Sequence, residues 1–246
     1  MVEAGPGTLN RELADILEHG AKQLGITLPR NAITSFELYY DLLAGRGQTF
    51  NLTAISGLED VARLHFLDSI ALLKAADFKD SRVIDIGSGA GFPGVPLKIT
   101  EPSVDLTLLD STGKRITFVS EVCHALNLEA RCFLKRAEEA AFDPGLRESY
   151  DIAVSRAVAR LNVLCEMCLP FVRVGGLLLA MKSADSAEEI HEAQSAVETL
   201  GAVHLESFDY LIPGTDIRHR AVIIRKVSQT PVKYPRRFAR MQKAPL

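Results

Sequence analysis

Between residues 85 and 94 the chain reads Asp-Ile-Gly-Ser-Gly-Ala-Gly-Phe-Pro-Gly, the densest run of chemically suggestive residues in its 246 positions. Gly87, Gly89 and Gly91 permit a tight turn and a close approach of a ligand to backbone N–H groups at a helix start, although an ordinary glycine-rich turn has the same composition. The nicotinamide-type G-x-G-x-x-G pattern needs its third glycine at position 92, where Phe92 stands, and no G-K-[ST] follows to make a P-loop. Asp110 lies 23 residues beyond Gly87, at the expected end of a second strand, where a carboxylate can accept both hydroxyls of a ribose. A nucleoside cofactor without a pyrophosphate fits both observations, and S-adenosylmethionine is a cofactor of that kind. Asp85, Gly87, Gly89, Gly91 and Asp110 are therefore candidate cofactor-binding residues.

The elements that must position these residues are legible as periodicities. Apolar residues at helical spacing predict helices over Leu9–Leu24, Ala32–Leu43 (closed by Gly45 and Gly47) and His65–Ala76. After Asp80 short apolar runs alternate with amphipathic stretches, which predicts an α/β, Rossmann-like domain with a mostly parallel sheet. The expected strands are Arg82–Ile86, Asp105–Leu109, Ala130–Leu134, Tyr150–Ser155 and Leu177–Lys182, with helices at Val95–Ile99, Lys114–Leu126, Leu161–Val172 and Ser186–Leu200 between or after them. Val203–Leu211 and Ala221–Val227 are joined by too short a link for a crossover helix and should form an antiparallel C-terminal edge. The expected organisation is a helical N-terminal extension (1–80), a cofactor-binding core (81–227) and a basic C-terminal tail (228–246). Arg156 and Lys182 follow the C-terminal ends of parallel strands, where open α/β sheets bind ligands, so both are expected at the pocket mouth.

These motifs give the chain a resemblance to a known family. It resembles the bacterial small-subunit ribosomal RNA guanine-N7 methyltransferases, the glucose-inhibited division protein B family, over most of its length. The resemblance rests on Asn51-Leu52-Thr53, the segment from His65 to Ser69, the run from Asp85 to Leu97, Leu109-Asp110-Ser111 with Gly113-Lys114-Arg115, Arg136-Ala137-Glu138, Ser155-Arg156-Ala157 and Lys182. It implies that Gly87 and Phe92 line an S-adenosylmethionine site, that Ala137 and Glu138 border the adenine, and that Arg156 reaches the cofactor. It also makes Lys114 and Arg115 candidates for phosphate or base contact, with Arg136 beside them, in place of a merely solvated helix start. The implied partner is 16S ribosomal RNA within the small subunit. Two departures stand out: Ser183 replaces the family's usual glycine after the lysine, and the tail after Tyr234-Pro235-Arg236 lacks its usual Gly and Pro.

Guanine N7 carries a lone pair and no proton, so its methylation needs no general base. Arg156 and Lys182 are then the candidate catalytic groups, Arg156 orienting cofactor or guanine and Lys182 contacting phosphate or base. The Asn/Asp-Pro-Pro-aromatic motif of amino-methyltransferases is absent after the fourth strand, and none of the four cysteines fits a carbon-5 nucleophile. Cys165 and Cys168, within an apolar helical pattern, read as packing and not as zinc ligands. His65 and Asp68, three apart on one helix face, suit a functional pair and a structural hydrogen-bonded pair equally.

Charge is unevenly distributed. All 31 acids but only 19 of the 28 Lys and Arg fall within the first 216 residues, a formal charge of -12, and the last 30 residues carry +9. Arg236 and Arg237, with Lys233, Arg240 and Lys243, are expected to meet RNA phosphates, with Tyr234 and Phe238 either stacking on bases or pinning the tail. Removing the tail is expected to leave cofactor binding intact. No apolar run approaches the roughly 18 residues of a membrane span, no secretory signal opens the chain, and four cysteines suit a reducing compartment, so a cytoplasmic monomer without a metal is expected. The alternatives are a methyltransferase acting on another RNA, a protein or a small molecule, and a non-catalytic RNA-binding or assembly factor that keeps the fold.

Overall fold

A computed structural model describes residues 6–50 and 57–246. Asn51, Leu52 and Thr53 lie outside the described residues. Helices α1 (Pro6–Gln23) and α2 (Ala32–Phe50) come first. The second runs through Gly45 and Gly47, because glycine weakens a helix without forbidding it. A helical run follows, α3 (Leu58–Val61), a π-helical segment Ala62–Leu67, α4 (Asp68–Ile70) and a 3-10 turn Ala71–Lys74. Its π segment carries His65 and delivers Asp68, and such bulges frequently occur at functional sites.

From there strands and helices alternate as β1 (Arg82–Ile86), α5 (Gly94–Thr100), β2 (Asp105–Asp110), α6 (Gly113–Ala125), β3 (Ala130–Leu134), α7 (Ala137–Ala140), β4 (Tyr150–Arg156) and α8 (Leu161–Cys168). Then come β5 (Val172–Ser183), α9 (Ala187–Glu192), α10 (Gln194–Thr199), β6 (Ala202–Leu211), β7 (Arg218–Lys226) and α11 (Phe238–Lys243). The seven strands are ordered β3-β2-β1-β4-β5-β7-β6. The first five are parallel, and β7 pairs antiparallel with both β5 and β6, the mixed edge expected from the short link between them. Strand order reverses direction between β1 and β4, and a crevice at the carboxyl ends of such strands is where open α/β sheets take ligands.

Alternating residues of each strand enter opposite cores. Val83, Leu106, Leu108, Ile152 and Val154 pack with the N-terminal helices, α5 and α6, so residues expected as an N-terminal extension share one core with the sheet. Ile84, Ile86, Leu109, Ala153 and Leu178 face α7, α8, α10 and α11 on the other side. The C-terminal segment is docked there: Met241 is fully buried and Tyr234 nearly so. Beneath it Lys226, with no exposed surface, donates to Glu148 (3.1 Å) and to the carbonyls of Leu169 and Val172.

One close approach ties α2 to the loop after β1. The Tyr39 hydroxyl donates to the carbonyl of Ala90 at 2.6 Å, and Gly91 lies under it at φ +104°. A Cβ at Gly91 would come within 2.6 Å of that hydroxyl and within 2.9 Å of Val95 and Val119, whereas one at Gly89 (φ +58°) would meet only the Gly87 carbonyl, at 3.9 Å. Gly91→Ala combines left-handed strain with overpacking and is expected to lower stability by roughly 3 kcal/mol or more in urea denaturation, against about 1–2 kcal/mol for Gly89→Ala. Equal losses would contradict this division of roles.

Candidate functional site

The loop from Gly87 to Ala90 forms one wall of a cavity of about 460 Å³ at the carboxyl ends of β1, β2 and β4. Its backbone donors are largely turned inward. The amides of Gly87 and Ser88 donate to the carbonyl of Leu109, and that of Gly89 donates to the Asp110 carboxylate at 3.0 Å. Glycine loops that grip a phosphate keep such amides for the ligand. This one is braced by its own strand ends and presents shape without a nest of free donors, which suits a nucleoside better than a pyrophosphate.

Asp110 is 4% exposed and forms part of the cavity wall. One carboxylate oxygen takes the Gly89 amide and the other the Thr112 amide at 2.8 Å. Each oxygen retains a second lone pair, so the carboxylate can accept ribose hydroxyls while the loop stays fastened. Asp85 lies behind the loop, fully buried, where one oxygen accepts the Gly94 amide at 2.8 Å at the start of α5 and the other has no partner. Burial pushes its carboxyl up to about 7, and the Gly94 amide and Arg156 hold it from rising further. Neither Asp85 nor Gly91 reaches the cavity surface: the first fastens the loop to α5, the second lets it pack on Tyr39.

Arg156 is fixed from the N-terminal side of the chain. Its guanidinium donates to the Leu64 carbonyl (3.0 Å), to Asp68 (3.1 Å) and to Nδ1 of His65 (2.9 Å), and it lies 5.0 Å from the ring centroid of Phe92. Guanidinium has only donors, so Nδ1 of His65 accepts and the ring proton sits on Nε2. His65 stacks on Phe92, with centroids 4.5 Å apart, and burial together with the Arg156 cation lowers its pKa to about 4. Asp68, 1% exposed, also takes the Tyr210 hydroxyl and Nδ1 of His219, each at 2.8 Å. His65 and Asp68 are thus joined through the Arg156 guanidinium, and of the two only His65 lines the cavity, with Phe92 and Arg156.

Ala137, Glu138, Val158, Met167 and Phe238 also line the cavity, Val158 close against Gly87, and Arg115, Lys135 and Arg136 complete the rim. Arg115 is 3.6 Å from Asp110, Lys135 3.3 Å from Asp143 and Arg136 3.9 Å from Glu138, all with substantially exposed side chains. Lys114 is exposed at the start of α6 but outside the cavity lining. Two expected ligand contacts are engaged elsewhere. Lys182 does not line the cavity; it donates to Glu189 (2.6 Å) and to the Ala159 carbonyl (2.7 Å), and the same Glu189 oxygen accepts the Leu161 amide, so the lysine braces the turn from β4 into α8. Arg236, expected on RNA, is drawn inward by buried Glu166, whereas Arg237 is exposed. Met167, Lys135, Tyr210 and His219 have no place in the sequence reading of the site, where only Lys135, next to Arg136, carries a local signal; Phe238, expected to stack on RNA bases or to pin the tail, lines the cavity. The cysteines stay structural, and burial pushes the Cys165 thiol up to about 12. Among the described residues no group of three His, Cys, Asp or Glu is placed to hold a metal ion.

Removing Asp68 would strand the part-buried Arg156 cation. Asp68→Ala is expected to cost about 3–5 kcal/mol in chemical denaturation, the range for breaking a buried pair, and a loss below 1 kcal/mol would contradict the hub. Burial and Arg156 both penalise the imidazolium of His65, so its ring should stay neutral on acidification until close to pH 4 when followed by NMR. A midpoint near the ordinary 6.5 would contradict that placement.

The family model for GidB, rRNA small subunit methyltransferase G, matches residues 32–211. The chain is 45% identical over 237 residues to the ribosomal RNA small subunit methyltransferase G of Alkaliphilus oremlandii, covering 96% of this chain and 99% of that one. It is 44% identical over 236 residues to the protein of the same name from Pelotomaculum thermopropionicum, covering 95% and 99%. In fold it is similar to TrmN from Thermus thermophilus (TM-score 0.53, 16% identity, 76% of this chain and 52% of that one) and to YcgJ from Bacillus subtilis (TM-score 0.50, 14% identity, 68% and 100%). With the glycine loop, Asp110 and Arg156 meeting at one cavity of a methyltransferase-like sheet, the chain belongs to the GidB family of small-subunit ribosomal RNA methyltransferases.

Proposed function

We propose that this protein transfers a methyl group from S-adenosylmethionine to N7 of a guanine in 16S ribosomal RNA, acting on the small ribosomal subunit in the bacterial cytoplasm. The observation that carries the reading is a single cavity that combines a braced, phosphate-independent loop and an acceptor carboxylate with a rim of Arg115, Lys135 and Arg136. The residues fit the cofactor: Gly87 and Gly89 supply the cradle, Asp110 the ribose acceptor, Ala137 and Glu138 the border of the base, and Arg156 with Phe92 the far wall.

The cofactor supplies an electrophilic sulfonium methyl, and what the chain must do is align a lone pair with it. Alignment needs rigid groups and not proton carriers. The groups present match that demand: His65 is neutral and stacked on Phe92, Arg156 is held by three bonds, and Phe92 packs against both. The rim cations supply phosphate attraction for an otherwise acidic body and are the RNA contacts proposed here, with exposed Lys114 and Arg237 flanking them. A base from an unpaired RNA segment would reach such a cavity without the cost of unstacking a duplex.

Small subunits from cells lacking the enzyme, incubated with the protein and methyl-labelled cofactor, should acquire label at N7 of a guanine. Label on an exocyclic amine, or on protein and not RNA, would overturn the reading. Asp110→Ala should weaken cofactor affinity at least about tenfold through loss of charge-assisted hydrogen bonds, and unchanged affinity in the folded variant would remove Asp110 from the site.

A further inference from the structure

The C-terminal segment is too firmly held for a free RNA arm. Glu166 on α8, 1% exposed, accepts the Arg236 amide (2.7 Å), its Nε (2.9 Å) and its Nη2 (2.6 Å), and Arg236 Nη1 reaches on to the Ala244 carbonyl at the end of α11. Arg147 donates to the carbonyls of Thr230 and Tyr234 (2.9 and 3.0 Å), and Met241 is fully buried. Two residues past the Arg236 fork, Phe238 forms part of the cavity wall with Met167, the neighbour of Glu166 in α8. Both α7, which carries Ala137 and Glu138, and α11 pack against α8, so the clamp and the cavity wall share one helix.

Resting on the cofactor reading above, we propose that residues 234–243 are the outer wall of the nucleoside end of the cavity, with Phe238 as the aromatic face for the purine and Glu166–Arg236 as the clamp that holds it there. An apolar wall of Val158, Met167 and Phe238 beside Ala137 suits a flat, weakly hydrated base, and an aromatic ring adds a stacking face. Binding of the nucleoside and docking of the tail then favour each other, because each completes the surface the other needs. This reverses the sequence-based expectation that the tail is dispensable for cofactor binding: the tail is part of the site, and only its outward cations remain for RNA.

The test is calorimetric titration of S-adenosylmethionine and S-adenosylhomocysteine into the full chain and three variants, with thermal unfolding of each alone. Phe238→Ala is expected to raise both dissociation constants about tenfold, whereas Phe238→Tyr, which keeps the ring, stays within about twofold of the parent. A merely structural anchor would shift the unfolding midpoint without this affinity pattern. Glu166→Gln, outside the cavity, is expected to weaken both ligands several-fold and to speed hydrogen exchange in α11. Parental affinity in Phe238→Ala overturns the aromatic wall, and parental affinity in Glu166→Gln with α11 exchanging freely overturns the clamp. If the parent chain itself shows no saturable binding, the cofactor reading fails and the inference falls with it; binding by the parent with no loss in Phe238→Ala defeats the inference alone.

Discussion

The structure turns on the ion pair between Arg156 and Asp68. Arg156 ends the fourth strand, Asp68 lies in the helical run before the first, and Tyr210 of β6 and His219 of β7 bring the antiparallel pair to the same carboxylate. A buried charge of either sign alone would be costly, so each residue fixes the other and the segments that carry them. The cavity inherits this rigidity: Phe92 packs against both His65 and Arg156, which are bonded to each other, and Phe92 follows the glycine loop in the cavity wall. The helical run before β1 therefore contributes His65 to the cavity wall, while the N-terminal helices cover one face of the sheet.

A second constraint acts on the other side. Glu166 and Glu148, both tied to cations of the chain's basic end, draw the last residues onto α8 and the sheet edge. The positive charge that makes the C-terminal sequence look like a polyanion-binding arm is partly neutralised inside the protein, by Arg236 on Glu166 and Lys226 on Glu148. Net charge along a sequence does not say which cations have partners, and a salt bridge seventy residues long in sequence leaves no local trace.

Much of the architecture was legible because strands of a parallel sheet announce themselves as short apolar runs between amphipathic helices; β1 and β3 have the expected bounds, and the antiparallel edge followed from the short link after Leu211. The glycine loop and Asp110 were legible because their chemistry is local. What escaped was tertiary. Asp85 and Gly91 belong to the motif, yet one binds an α5 amide and the other makes room for Tyr39, a distinction set by packing. Lys182 sits at a strand end as expected, but Glu189 turns it away from the cavity. The short helices α7 and α11 lack a full amphipathic period, so nothing in their sequence marked them, and Phe238 could not be placed without them.

On the proposed reading, Arg156 and Asp68 act as one unit in building the cofactor site. A double-mutant cycle read by cofactor affinity tests it most directly, using Arg156→Ala, Asp68→Ala and the combined variant, each confirmed as folded. The predicted result is that the double variant binds S-adenosylmethionine no more weakly than Arg156→Ala alone, because Asp68 works through the arginine it holds. Losses that simply add would contradict this coupling and would mean that the two residues serve the site independently.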